Sequence, residues 1–412
     1  MQAARTRRAI VFVVGVSLMN AVATMLVIPV LPRLITQFTG DTARAAYYVG
    51  LFATVFALTQ FVMSPVLGSL SDRYGRRGII LSSAAGQGVQ FVMMALAPNL
   101  FWLFAARIIS GATAGSLPAI NAYIADVVPP QERAVSFGWV SASTSAGFLL
   151  GPALGGLLGN IDVRLPFWVA AGLCLTNVVY GAIVMPESLT KDRRAAFTFA
   201  KANPIGALRF LAARPAVASL AVVYAMLLLA AQCMPNTIVL YTDYRFGWSA
   251  GQIGAYLTAV GVANMLVQAF VLKRFVTRFG EHAAVIVGFT CYTAAFLIYA
   301  SAPMGAVFVL AAPFFALGSL VTPSVQAQAT RRVAENEQGR LQGSLGAMTS
   351  LSGLIAPLIY TQIFAYAVGS GRAFLPAGSH MYVAAAFLAL GAILALRYLR
   401  RQRTGAPAEV SP

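Results

Sequence analysis

Between two apolar stretches, residues 45–67 and 78–97, the chain reads GSLSDRYGRR (68–77). Within these ten residues one carboxylate, Asp72, lies among three guanidiniums, Arg73, Arg76 and Arg77, with glycines at Gly68 and Gly75. A plain chain reversal needs a glycine and a polar residue or two. This array adds an acid that can pair with cations or with the positive end of a helix. A second charged group, Asp126, Glu132 and Arg133, follows another apolar run, and Glu337 and Arg340 occupy the matching place later in the chain. Charges so placed can form ion pairs at the ends of helices, although solvated loop charges of little energetic worth read almost as well.

Arg107 differs from these because it falls inside an apolar run. A guanidinium at the centre of a membrane helix costs at least about 2.5–3.5 kcal/mol on insertion scales, so its retention points to function; the plainer reading is an arginine bonded to backbone carbonyls. Gly147, Gly151, Gly155 and Gly159 recur every fourth residue, with Pro152 and Gly156 beside them. That spacing lines the glycines along one helix face where a partner can approach closely, and Pro152 frees a backbone carbonyl and permits a bend. Cys174, Cys233 and Cys291 are far apart and show no metal or disulfide spacing, so they read as buried thiols. His282 and His380 have no ligand partners nearby in sequence and read as solvated. No metal and no cofactor is expected.

The elements that must carry these residues are long and apolar. Of 412 residues, 59% are hydrophobic and 10% charged, against roughly 25% charged in soluble domains. Twelve runs of about 20 residues, each long enough to cross a hydrocarbon core, fall near 9–31, 45–67, 78–97, 101–125, 135–160, 165–185, 216–241, 250–272, 283–302, 304–328, 341–367 and 381–397. The fold class is therefore an all-α polytopic membrane protein. The first run follows basic residues as in a signal peptide but is too long for a cleaved one, and reads as an uncleaved span.

The net charge of +17 does not mark a nucleic-acid partner, because the 29 Lys and Arg fall mostly in alternate loops rather than on one soluble face. This bias puts both termini and residues 68–77 in the cytoplasm, with the chain threaded through the cell inner (plasma) membrane. Residues 186–215, polar and basic, divide the spans six and six. The expected organisation is a six-helix bundle over 1–185, a cytoplasmic linker over 186–215, a second bundle over 216–400 and a short cytoplasmic tail over 401–412. Displacing the sequence by 205 residues brings Gly75 onto Gly280, Arg73 onto Arg278, Glu132 onto Glu337, Gly138 onto Gly343 and Pro152 onto Pro357. Such a duplication predicts parallel repeats with substrate bound between them near mid-membrane.

The chain resembles the transporters of the major facilitator superfamily, specifically the twelve-span drug:H+ antiporter group and, within it, the tetracycline-resistance efflux proteins. The similarity runs almost end to end. It is carried by IPVLPRLITQF (28–38), SPVLGSLSDRYGRRGIILSS (64–83), ARIISGATAG (106–115), AYIADVVPPQERAVSFGWVSA (122–142), GPALGGLLG (151–159), MPES (185–188) and GRLQGSLGAMTSL (339–351). The resemblance implies a major facilitator fold and secondary-active, alternating-access export of amphiphilic small molecules by H+ antiport. It implies a conformational latch at Gly68, Asp72, Arg73, Gly75, Arg76 and Asp126, a proton-relay role for Arg107, and an antiporter signature at Gly147, Gly151, Pro152, Gly155 and Gly156.

One departure bears on substrate. None of the twelve acidic residues lies in the middle of an expected span. Where the tetracycline exporters carry membrane carboxylates this chain has Asn20, Gln90 and Tyr292, and Asn264 stands where they have a histidine. What remains is a neutral, hydrogen-bonding set of substrate-cavity candidates: Asn20, Gln60, Gln90, Gln232, Asn236, Asn264, Gln268 and Tyr292. Alternatives are an exporter or uniporter of a neutral metabolite such as a sugar without H+ coupling, or a non-transporting membrane sensor. An enzyme is not expected, since no acid or histidine clusters at mid-membrane. The chain is expected to act as a monomer in the lipid bilayer on a small-molecule substrate.

Overall fold

The computed structural model describes residues 2–114, 116–128, 130–189, 215–333, 338–369 and 374–403. Most of the expected linker, the end of the tail, Glu337, and the side chains of Arg133 and Arg340 lie outside the described residues. The described secondary structure is helical: α1 (Gln2–Leu26), α2 (Leu31–Thr39), α3 (Thr42–Tyr74), α4 (Arg76–Leu96), α5 (Leu100–Ala112), α6 (Ser116–Val127), α7 (Pro130–Ile161) and α8 (Leu165–Val184) lead to α9 (Pro215–Ala231) and α10 (Cys233–Phe246). Then follow α11 (Ala250–Leu266), a π-helical turn (Val267–Val271), α12 (Leu272–Ser301), α13 (Gly305–Leu310), α14 (Ala312–Gly318), α15 (Val321–Thr330), α16 (Gln338–Val368) and α17 (Ser379–Arg403). Each of the twelve expected spans has a helical counterpart. Among the described residues nine helical stretches are long and apolar enough to cross a membrane, one of which, Ala250–Ser301, takes in two expected spans.

The sequence accounts for the ends of these helices. Asn99 caps α5, its Oδ1 accepting from the N–H groups of Phe101 and Trp102 at 3.1 and 3.4 Å. At the start of α11, Ser249 and Gln252 form a reciprocal capping box: the Gln252 N–H donates to Ser249 Oγ at 3.2 Å, and the Ser249 N–H to Gln252 Oε1 at 2.8 Å. Asp41 accepts from the Arg44 N–H at 2.8 Å in the first turn of α3. Expected span 1 breaks after Leu26, beside Pro29 and Pro32, and span 7 breaks at Gln232, three residues before Pro235.

The duplication is visible in local geometry. The positive-φ residues among those described are four glycines, Gly40, Gly75, Gly247 and Gly280. Gly40 (φ 67, ψ 0) and Gly247 (φ 65, ψ 28) end α2 and α10 in the left-handed conformation. Gly75 (φ 111, ψ 158) and Gly280 (φ 83, ψ 163) share a second, extended conformation that only glycine adopts without strain. The two pairs lie 207 and 205 residues apart. Pro152 and Pro357 both lie inside long helices, α7 and α16.

Contacts divide the chain into two compact units, Met1–Gly40 with Phe52–Ala202 and Trp248–Thr258, and Asp41–Leu51 with Asn203–Gly247 and Ala259–Pro412. In the first unit the glycine face of α7 is used. A Cβ at Gly147 would collide with Ala21, at Gly151 with Met25, at Gly155 with the Leu26 carbonyl and at Gly159 with Val30, so α7 lies directly on α1 and the bend that follows it. A second small face meets α11, where Gly156 sits against the Ala250 carbonyl and Gly254 against that of Pro152. In the second unit Gly50 of α3 meets Thr361 and the Pro357 carbonyl of α16 in the same way. Dispersion between close backbones and interhelical hydrogen bonds, such as Thr258 Oγ1 to the Leu149 carbonyl at 3.1 Å, hold such helices together.

Candidate functional site

Residues 68–77 are mostly helix. Nothing before Gly75 breaks α3, which runs on through Tyr74, so the expected ten-residue turn contracts to a single residue, Gly75, from which α4 restarts at Arg76. At that restart the chain supplies its own cap. Glu187, just beyond α8, accepts through Oε1 from the backbone N–H groups of Arg76, Ser188 and Leu189 at 2.8, 3.0 and 3.1 Å. Its carboxylate fills the space a Cβ at Gly75 would occupy, so a side chain there would displace it in addition to straining the positive φ. A carboxylate at a helix N-terminus is favoured by the orphan N–H groups and the helix dipole together.

The Arg76 guanidinium joins the other charges. Its Nη1 donates to Asp72 Oδ1 at 2.5 Å and to Ser71 Oγ at 3.2 Å, and its Nε to Asp126 Oδ2 at 3.3 Å. Asp126 also accepts from Ser188 Oγ at 3.0 Å. Side-chain exposure is 13% for Arg76, 24% for Asp126 and 52% for Asp72, so the arginine is the enclosed hub and Asp72 its open edge. Of the expected latch residues the structure thus brings together Asp72, Gly75, Arg76 and Asp126. Arg73 lies instead over the Tyr74 ring, 5.2 Å from its centroid. Gly68 is half-buried in α3 with nothing within 4 Å of a Cβ placed there. Arg77 donates to the Ala182 carbonyl at 2.5 Å, tying the start of α4 to the end of α8.

Arg107 sits on α5, half-buried, its guanidinium 5.8 Å from the Phe56 ring centroid and its Nε buried without a hydrogen-bond partner. The plainer expectation is an arginine hydrogen-bonded to backbone carbonyls; its Nε makes no such bond.

The cavity candidates divide. In the first unit, Asn20 and Gln60 are half-buried. Gln90 is 2% exposed and donates to Gln87 Oε1 at 3.2 Å, leaving its own Oε1 without a partner. In the second unit, Gln232 and Asn236 are half-buried where span 7 breaks, and Asn236 donates to the Gln232 carbonyl at 2.8 Å. Asn264 keeps a buried, unpartnered Oδ1, Gln268 is exposed within the π-helical turn, and Tyr292 packs its ring on Gly318 and edge-on to Phe315 at 5.1 Å. Cys174 and Cys233 are buried and Cys291 half-buried, all free thiols. The expectation for His380 is overturned: it is 0% exposed, caged by Tyr241 and Phe364 at 5.4 and 5.0 Å, with Nδ1 on the Ala377 carbonyl at 3.1 Å. Among the described residues no group of three His, Cys, Asp or Glu could hold a metal ion.

Two features escaped the sequence. Glu187 was legible only as part of MPES, since its partner is 111 residues away. The second is an ion pair between Arg331 and Glu281. These positions are Asp126 and Arg76 displaced by 205, so the second repeat keeps the pair and inverts its charges. Beside it lies a cleft of about 570 Å³ lined by Val276, Gly280, Glu281, His282, Gln328, Arg331 and Arg332. His282 is half-buried in a helix there rather than solvated in a loop.

Long apolar helices in two repeats, with glycine-bearing helix restarts and a charged hub, define a multi-pass helical transporter. The chain belongs to the Major Facilitator Superfamily, whose model matches residues 13–357 and, in a second match, 220–411. It is 37% identical over 361 residues to the tetracycline resistance protein, class C, of Escherichia coli, covering 88% of this chain and 91% of that one. It is 28% identical over 342 residues to multidrug resistance protein 1 of Bacillus subtilis, covering 82% and 85%. The solved nucleoside transporter NupG shares the fold with a TM-score of 0.77 at 13% identity, over 95% of this chain and 99% of that one.

Proposed function

We propose that this chain is a secondary-active exporter of amphiphilic, drug-like small molecules, tetracycline-like compounds among them, driven by H+ antiport through alternating access. The observation that carries the reading is the similarity to a tetracycline resistance protein over 361 residues, 88% of this chain. The basic alternate loops support cytoplasmic termini in an inner-membrane protein, which in this reading acts as a monomer. Six-helix bundles over 1–185 and 216–400, joined by a cytoplasmic linker over 186–215, rock about a neutral cavity drawn from Asn20, Gln60, Gln90, Gln232, Asn236, Asn264, Gln268 and Tyr292.

In this reading the Asp72–Arg76–Asp126 hub is the latch. Arg76 holds two carboxylates, and protonation of either removes an ion pair and frees that end of α3 or α6. With no carboxylate in the middle of a span, coupling concentrates on these rim acids and on Arg107. The test is drug accumulation in cells expressing the chain, with and without a protonophore. Accumulation should fall on expression and recover with the protonophore. Unchanged accumulation across a broad drug panel removes the exporter, and a fall indifferent to protonophore removes H+ coupling. Asp72→Asn should insert normally and lose most of its efflux, because it removes one of the two carboxylates that hold Arg76; normal efflux by that variant removes the latch.

A further inference from the structure

We infer that the Arg107 guanidinium is an anion-binding site, and that the cargo of the exporter proposed above is an organic anion, a carboxylate or sulfonate carried on an apolar, aromatic body. Transport of such a cargo rests on that reading; binding does not. The first unit supplies its own comparison. Among its described half-buried arginines, Arg33 donates to the Trp248 carbonyl, Arg77 to that of Ala182, Arg164 to those of Ala95 and Ala97 at 3.0 Å each, and Arg76 to Ser71, Asp72 and Asp126. Intramembrane arginines ordinarily pair in this way, with an acid or with backbone carbonyls. Among the described residues Arg107 does neither. Its Nε is buried without a partner, the rest of the group makes no hydrogen bond or ion pair, and its neighbour is the Phe56 ring.

Packing fixes that placement. Along α5, Phe104 meets Phe52 of α3 edge-on with centroids 4.1 Å apart, Arg107 lies over Phe56, and a Cβ on Gly111 would run into the Phe56 carbonyl, Thr59 and the Gln60 nitrogen. Arg107 is the eighth residue of α5, about 12 Å along the helix from its Asn99 cap. The surrounding helices bring it no acid. Neither α5 nor α4, which is tied to it by Gln87 donating to the Ser110 carbonyl at 3.4 Å, contains one. The single acid of α3, Asp72, lies sixteen residues beyond Phe56 (72 − 56), about 24 Å along the helix, and is engaged by Arg76. A carboxylate or sulfonate arriving from solution would supply the missing counter-charge through a charge-assisted, bidentate pair. Arg107 is half-buried rather than enclosed, so a ligand can reach it.

Two neighbours define the rest of the ligand. Gln60, half-buried one turn after Phe56, makes no hydrogen bond among the described residues. Helical side chains lean back over the preceding turn, which directs its amide over the turn that holds Phe56. The rings of Phe52, Phe56 and Phe104 make the setting aromatic, so the anion needs an apolar body to follow it in. A cation meets the opposite arrangement, a guanidinium and no acid, and is disfavoured.

The experiment uses the full chain, purified in a neutral maltoside detergent, with three probes of one shape: pyrenebutyrate, its methyl ester and pyrenebutylamine. Saturable thermal stabilisation gives the apparent affinities. The acid should bind about tenfold or more tighter than the ester, as a hydrogen bond to a charged group implies, and the amine should bind weakest. Arg107→Gln should bring the acid down to the affinity of the ester, and Arg107→Lys, which keeps the charge and loses the planar fork, should retain part of the preference. Gln60→Leu should weaken the acid by about threefold, the loss of one hydrogen bond. No binding of the acid, equal affinity for acid and ester, tightest binding of the amine, or an undiminished preference in Arg107→Gln overturns the site. The three probes on the unaltered chain decide the matter even where a variant fails to fold. Accumulation in expressing cells keeps the two proposals apart: acid-selective binding without efflux sinks only the exporter, and drug efflux without acid-selective binding sinks only this site.

Discussion

The helix restarts at Gly75 and Gly280 are built on the same backbone and finished differently. The first is closed by Glu187, and its arginine is clasped by Asp72 and Asp126. Among the described residues nothing lies within 4 Å of a Cβ placed on the second glycine, and the ion pair beside it, Glu281 with Arg331, runs with opposite charge. Duplication preserved the conformation because it depends on one glycine, and ion pairing survives exchange of its partners because Coulomb attraction depends only on the product of charges. The first restart is closed by a carboxylate from outside its own turn, a closure the described residues do not show at the second.

The strongest way to break this comparison is to put the same methyl at both restarts. Gly280→Ala meets only backbone strain, about 1–3 kcal/mol. Gly75→Ala meets that strain and also displaces Glu187 with its three N–H bonds, so its loss of stability should be the larger by about 2 kcal/mol or more. Thermal unfolding in detergent measures both, and equal losses would remove the distinction. A second test exchanges charges. Glu281→Arg with Arg331→Glu should keep most efflux, since the exchange restores the pair. Arg76→Asp with Asp126→Arg should not, because Asp72 then faces a like charge four residues away. A smaller effect is expected from Glu187→Gln, which keeps the shape and removes the charge. It should lower stability by about 1 kcal/mol. Smallest is Gly68→Ala: with open space around it and helical backbone, stability should change by less than about 1 kcal/mol. A larger loss would show that the motif's first glycine is as tightly placed as its second.

Much of this was legible beforehand, for identifiable reasons. Span positions follow from hydropathy, and the glycine face of α7 follows from four-residue spacing; both are properties of a segment alone. The partners of that face, α1 and α11, were not legible, because spacing says that a helix can approach and not which one does. The extent of α3 was misjudged since charged residues and Gly68 resemble a turn in composition, yet none of them forbids helix. His380 was read as solvated from its place near a helix end, and it is enclosed by aromatic rings contributed by α10 and α16.

By itself the sequence determined the membrane class, the twelve spans, the repeat register and the residue types at each restart, because all of these depend on local composition and on the displacement of one half against the other. The tertiary structure alone decided that Glu187 closes the first restart, that Arg76 rather than Asp72 is the enclosed centre of the charged hub, and that Glu281 pairs with Arg331 at the second. Each of those rests on side chains that meet across tens of residues of intervening chain, and through-space proximity is what a linear order does not record.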